Sequence, residues 1–190
     1  MTPQELARAT GARIDRATKY LEYIERAMFL YSINTPARIA AFLAQIGHET
    51  GGLKYLTEIW GPTPTQERYE GRADLGNTQP GDGKRFKGHG FIQVTGRFNH
   101  AAARDQLRAR LGDEVPDFEE FPDRLSEPEW AAMSAANYWD RHDLNKYADV
   151  GDFDGVSDMI NRGHKTLREG DANGYKDRLA LFEAAKTVVT

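Results

Sequence analysis

Between residues 35 and 52 the apolar positions Ile39, Phe42, Leu43 and Ile46 recur at helical spacing, the period that lines one face of an α-helix. The ends are marked too. Thr35-Pro36 supplies a hydroxyl N-cap with proline at the first helical position, and Gly51-Gly52 supplies a stop. Thr2-Pro3-Gln4-Glu5 is a capping box that opens a helix ended by Gly11. Ile14, Ala17, Leu21, Ile24 and Met28 predict a second amphipathic helix. The same pattern predicts a helix from Gly96 to Leu111, and one opened by a Ser126–Glu129 capping box that runs through Trp130 and Met133 to Trp139. It also predicts a short helix through Phe153, Val156 and Ile160, and a closing helix setting Tyr175, Leu179 and Phe182 against the core.

The pattern changes between Trp60 and Gly96. This stretch holds eight of the 18 glycines together with Pro62, Pro64 and Pro80, so it reads as loops around a short strand or hairpin. Phe91-Ile92-Gln93-Val94-Thr95 alternates, which predicts a strand with Gln93 and Thr95 on one face and Ile92 and Val94 on the other. Trp60, Arg68, Tyr69, Arg72, Lys84, Arg85, Phe86 and Lys87 suggest an ordered surface that meets a ligand; the plain alternative is a mobile, solvated loop.

At 190 residues the chain is expected to form one domain with a real core. A net charge of −4 argues against non-specific nucleic-acid binding. There is no cysteine, so no disulfide framework and no thiolate metal site. No signal peptide is read at the N-terminus, and no run approaches the roughly 20 apolar residues of a membrane span.

Two acidic residues flank the glycine stop. Glu49 lies three residues after Ile46 and seven after Phe42, so it extends the buried stripe, where poor solvation favours a retained proton and hence a general acid. The alternative is a terminal glutamate turned to solvent. Glu58, beyond the glycines, is by itself an ordinary surface residue.

Three segments change that reading. A-F-L-A-Q-I-G-H-E-T-G-G (41–52), G-H-G-F-I-Q-V-T-G-R-F-N-H (88–100) and I-N-R-G (160–163) resemble, in this order, the motifs of family 19 glycoside hydrolases, the plant-type chitinases and related phage endolysins; D-R-L-A-L-F (177–182) resembles that family's final helix. The resemblance covers about residues 35–185 of a single catalytic domain, 1–190, with no separate wall- or carbohydrate-binding domain. It implies a mainly α, lysozyme-like two-lobed fold with a small β-hairpin or loop region and a substrate groove between the lobes. It implies hydrolysis with inversion by two glutamates, with no cofactor and no metal. Glu49 matches the general acid, Glu58 the general base and Thr95 the hydroxyl residue that holds the attacking water. Gln93, Asn99 and Asn161 match polar residues lining the groove, and Arg178 an arginine near the acid. Tyr69 and Arg178 are placed among the substrate-binding residues. In plant members a glutamate after I-N-G-G joins a charge network with that arginine; here Arg162 replaces a glycine and Lys165 stands near the glutamate's place. Inversion requires carboxyls about 6.5–9.5 Å apart, one protonated and one ionised.

The compact, cysteine-free build looks most like an endolysin. The expected partner is therefore the glycan strand of bacterial peptidoglycan, cut at β-1,4 bonds as by a lysozyme, with chitin as the alternative substrate. The expectation extends to a monomer without membrane insertion or nucleic-acid binding, held in the host bacterial cytoplasm until the membrane is permeabilised. A zinc wall peptidase fits less well, because H-E-T-G-G lacks the second histidine of H-E-x-x-H. A non-catalytic sugar-binding module leaves the two glutamates and Thr95 unexplained.

Overall fold

The structure is a computed structural model, described here for residues 1–189. Its helices are α1 (Pro3–Thr10), α2 (Ile14–Leu30), α3 (Pro36–Thr50), α4 (Pro64–Glu67), α5 (Asp82–Arg85), α6 (Arg97–Leu111), α7 (Pro128–Arg141), α8 (Leu144–Asp149), α9 (Phe153–Arg162) and α10 (Tyr175–Lys186), with 3₁₀ turns at Ala73–Leu75 and Pro122–Ser126. Two compact units result: Met1–Lys54 with Ala135–Thr190, and Tyr55–Ser134. The fold is mainly helical, as expected.

The first unit is built on α3. The Thr35 hydroxyl accepts from the Arg38 amide at 3.3 Å, and Gly51 ends the helix at φ 58°. From Ala40 to Gly47 every residue is buried, so the helix is covered on all sides and not on one stripe alone. Small residues make this possible: α1, α8, α9 and α10 all pack on it. At Gly47 an added Cβ would lie 2.5 Å from the Thr10 carbonyl oxygen, so α1 can approach only because no side chain stands there. Phe42 meets Trp139 edge to face, with centroids 5.4 Å apart, and burying such a ring stabilises by about 2–3 kcal/mol.

The closing helix departs from its pattern. Leu179 is 37% exposed, whereas Arg178 and Ala185 are buried. Phe182 does stack on Phe153 at 4.1 Å. The helix turns a charged residue inward because α3 offers Gln45 and Glu49 as partners on the facing side.

The second unit holds the glycine-rich stretch, and the expected strand at Phe91–Thr95 is not there. Phe91, Ile92 and Gln93 form a turn closed by two hydrogen bonds between His89 and Val94, 3.1 and 2.8 Å. Gly90, at φ 91°, bends the chain, and Phe91 and Ile92 are both buried, which alternation forbids. In place of a hairpin there are isolated bridges, Thr57 with His89 and His89 with Val94. The Ser126–Glu129 box is also absent: α7 begins at Pro128, which suits a first helical turn. The Ser126 hydroxyl instead bonds the Leu56 carbonyl at 2.8 Å and meets the Thr57 hydroxyl at 2.7 Å.

Two histidines are buried in this unit. His89 Nδ1 is 3.0 Å from His100 Nε2, His100 Nδ1 is 2.9 Å from the Gly96 carbonyl, and His89 Nε2 is 3.0 Å from Asp123. Burial pushes His100 down to about 3, and burial followed by the Lys87 charge lowers His89.

Candidate active site

In the first unit Glu49 sits in the last turn of α3, with its side chain 24% exposed. Arg178 donates to Glu49 Oε1 at 2.5 Å, to Gln45 Oε1, and through Nε to the Asn173 carbonyl at 2.9 Å. Gln45, one turn before Glu49, is itself fixed by donating to Ser157 Oγ at 2.9 Å. Asn161 Oδ1 accepts from the Asn173 amide at 3.0 Å. The structure therefore joins three expected residues, Glu49, Arg178 and Asn161, through Asn173. Arg178 was placed among the residues that contact substrate. At 1% exposure it is buried, and each of its three nitrogens donates inside the protein, Nη2 to Glu49.

The apolar surroundings expected for Glu49 are thus only half its environment. Oε1 is held by a guanidinium, while Oε2 has no hydrogen-bond partner among the described residues. The Tyr138 hydroxyl donates to the Met159 carbonyl at 2.8 Å, and burial and then the Glu49 charge raise its titration. His48, next in the chain, pairs with Asp177 at 2.6 Å. Arg162 and Lys165 are engaged elsewhere: Arg162 with Asp171, Lys165 with Asp152. Among the described residues no three His, Cys, Asp or Glu are grouped to hold a metal ion.

In the second unit Glu58 is held on both oxygens. Oε1 accepts from Gln66 Nε2 at 2.9 Å and from the Tyr69 hydroxyl at 3.5 Å, and Oε2 accepts from the Gly88 amide at 3.0 Å. The Glu58 amide returns a bond to the Gly88 carbonyl at 2.8 Å. Burial first, then the Glu58 charge, raises the Tyr69 hydroxyl. The Tyr69 ring lies 6.4 Å from that of Trp60.

Gln66 is buried, and its Oε1 closes a capping box with Thr63 at the start of α4. That orients its amide toward Glu58. Gly88 is needed for a steric reason: a Cβ there would overlap the Gln93 amide. Gln93 therefore lies against the residue that donates to Glu58. Thr95 and Asn99 also meet, but through the backbone, with Asn99 Nδ2 donating to the Thr95 carbonyl at 2.7 Å. The hydroxyl of Thr95 and the amide of Gln93 have no hydrogen-bond partner among the described residues and remain available to a ligand or water. Gln45 and Gln66 were missed from sequence. Only the Thr63-Pro64-Thr65-Gln66 capping box carried a signal that could have found one of them.

A mainly helical fold and two glutamates, each fixed by its own set of donors, agree with the glycoside hydrolase expected from the sequence motifs. No family model matches the chain. It is 29% identical over 172 residues to a glycosyl hydrolase family 19 domain-containing protein of Haemophilus influenzae, covering 76% of each chain. Its fold is similar to that of chitinase C from Streptomyces griseus HUT6037, with a TM-score of 0.70 at 20% identity, covering 99% of this chain and 76% of that one. With the ordered motifs, the chain is therefore similar in sequence to a family 19 glycosyl hydrolase relative and in fold to a chitinase.

Proposed function

We propose that the protein is an endolysin that hydrolyses β-1,4 glycosidic bonds of bacterial peptidoglycan, with Glu49 as general acid and Glu58 as general base. The observation that carries this reading is the unlike setting of the two carboxyls. Glu49 has one oxygen pinned by Arg178 and the other unpartnered, free to carry a proton to the leaving sugar oxygen. Glu58 has both oxygens oriented by Gln66, Tyr69 and Gly88, yet Oε2 keeps a lone pair for a water proton. In the reaction the water oxygen bonds to the anomeric carbon as the bond to the leaving oxygen breaks. Glu58 takes the water proton, Glu49 gives its own, and the configuration inverts. Thr95 holds the water; Gln93, Tyr69, Asn99 and Asn161 lie along the sugars.

Peptidoglycan is preferred because the compact, cysteine-free build looks most like that of a phage endolysin. Chitin is the second reading, favoured by the fold neighbour that is a chitinase. Both polymers carry β-1,4-linked N-acetylglucosamine. In the endolysin reading the protein acts as one catalytic domain and a monomer, waits in the host bacterial cytoplasm, and reaches the wall once the membrane is permeabilised. Clearing of outer-membrane-permeabilised cells, set against release of oligosaccharides from chitin, tests the substrate. Glu49→Gln and Glu58→Gln should each abolish the preferred activity with the fold intact, and the first product should have the inverted anomeric configuration by NMR. Activity in either variant, or a retained anomer, overturns the mechanism.

A further inference from the structure

Apart from the two glutamates, the second unit has an open cleft of about 580 Å³ lined by Lys84, Arg85, Lys87 and Arg124, with Glu120 and Asp123 on its rim and Phe121 and Pro122 as apolar wall. Four cations against two carboxylates stand out in a chain whose net charge is −4. These cations are not all spent on neighbours. Lys84, exposed on α5, has no partner among the described residues. Arg85 donates to the Glu119 and Glu120 carbonyls, 3.2 and 2.9 Å, which fixes its guanidinium without neutralising it. Lys87 lies 3.8 Å from Asp123, a loose pair. Only Arg124 has a close carboxylate, Glu127 at 3.1 Å.

We propose that this cleft binds the peptide stem of peptidoglycan, a short chain carrying several carboxylates and a free amine. The proposal rests on the peptidoglycan reading above and extends it from the glycan to the peptide. Lys84 and Arg85 meet the stem's carboxylates, and Glu120 and Asp123 meet its ammonium. Phe121, 51% exposed, gives its alkyl portions an apolar contact. The mixed rim is the discriminating feature: carboxylates beside the cations repel a polyphosphate or a nucleic acid but complement a zwitterion. Chitin, being neutral and without stems, gains nothing from this cleft. Lys87 precedes Gly88, whose amide holds Glu58, so the cleft lies one residue along the chain from a donor to the proposed base.

Two measurements test this. In the first, a free wall tetrapeptide containing D-glutamate and diaminopimelate is titrated into isotope-labelled protein. Amide shifts confined to residues 81–87 and 120–124, lost in Lys84→Glu, are expected. No shifts there, or equal shifts from inorganic phosphate at the same concentration, would overturn the proposal. In the second, kcat/KM is compared on intact glycan strands and on strands stripped of peptide by an amidase. The wild type should prefer intact strands by roughly five- to tenfold, the effect of one or two exposed charge pairs, and Lys84→Glu should lose that preference. Equal cutting of intact and stripped strands by the wild type also overturns it. If neither is cut while chitin is, the peptidoglycan reading has failed, and the tetrapeptide titration still decides the cleft.

Discussion

Lowering the pH should unfold this protein through one buried ring, His100. Burial holds His100 at about 3, against the ordinary value of 6.5. The unfolded chain therefore takes up a proton that the folded chain refuses. A base with a depressed folded pKa contributes its full stability above about pH 6.5 and loses it as pH falls toward 3. At about pH 4.5 the loss is two units at 1.36 kcal/mol each, about 3 kcal/mol, or roughly a hundredfold in the folding equilibrium. Urea unfolding of wild type and His100→Gln at about pH 7 and about pH 4.5 reads this directly. Carboxylates that also lose stability in acid do so in both proteins and cancel. The wild type should lose about 3 kcal/mol more than the variant; equal losses would refute the reasoning.

The contacts of His100 also fix where the protons sit. The Gly96 carbonyl only accepts, so His100 carries its proton on Nδ1 and accepts from His89 Nδ1 at Nε2. A neutral His89 is then bare at Nε2, which faces the Asp123 carboxylate, an acceptor. All three contacts close together only with one more proton. Asp123→Asn supplies a donor to His89 without that proton, and should raise stability at neutral pH by about 1 kcal/mol, the net worth of one hydrogen bond. A fall in the urea midpoint would place the His89 proton on Nε2 instead.

Other substitutions test how the glutamates are held. Arg178→Ala leaves Glu49 and Gln45 without their common donor, and should cost about 3–5 kcal/mol in thermal or urea unfolding as well as activity. Gly88→Ala drives a methyl into the Gln93 amide and displaces the donor to Glu58; kcat should fall on the order of tenfold to a hundredfold while circular dichroism stays that of the wild type. Gly47→Ala places a methyl 2.5 Å from the Thr10 carbonyl and should destabilise by about 1–3 kcal/mol without touching either glutamate, read as a lower urea midpoint.

The helices were legible because their signals are local. Thr2, Thr35 and Gly51 each act on the next turn of chain, and the structure puts each at its expected cap. The failures lie where a distant partner outweighs local pattern. Phe91–Thr95 alternates as a strand does, but a strand needs a neighbour to pair with along its length. His89 and Val94 pair with each other instead, and Gly90 makes the bend that allows it. Ser126 and Glu129 have capping-box spacing, yet the Ser126 hydroxyl is drawn to Leu56, 70 residues away.

The site divides in the same way. Glu49 could be placed on a buried helix end from spacing alone, but what holds it there could not. Arg178 lies 129 residues further along the chain, on a helix whose apolar pattern pointed Tyr175, Leu179 and Phe182 inward. A helix turns an arginine into a core only when something inside accepts its donors. Gln45 and Glu49 stand one turn apart on α3 and present just such a pair of acceptors. The buried arginine is therefore a consequence of the acid's position. For Glu58 the direction reverses: its partners Gln66, Tyr69 and Gly88 sit in the irregular stretch that pattern reads least well, and they take their places through a capping box and one unhindered glycine. One carboxyl is set by the regular part of the fold and the other by its loops, and that difference leaves Glu49 with a free oxygen while both oxygens of Glu58 are held.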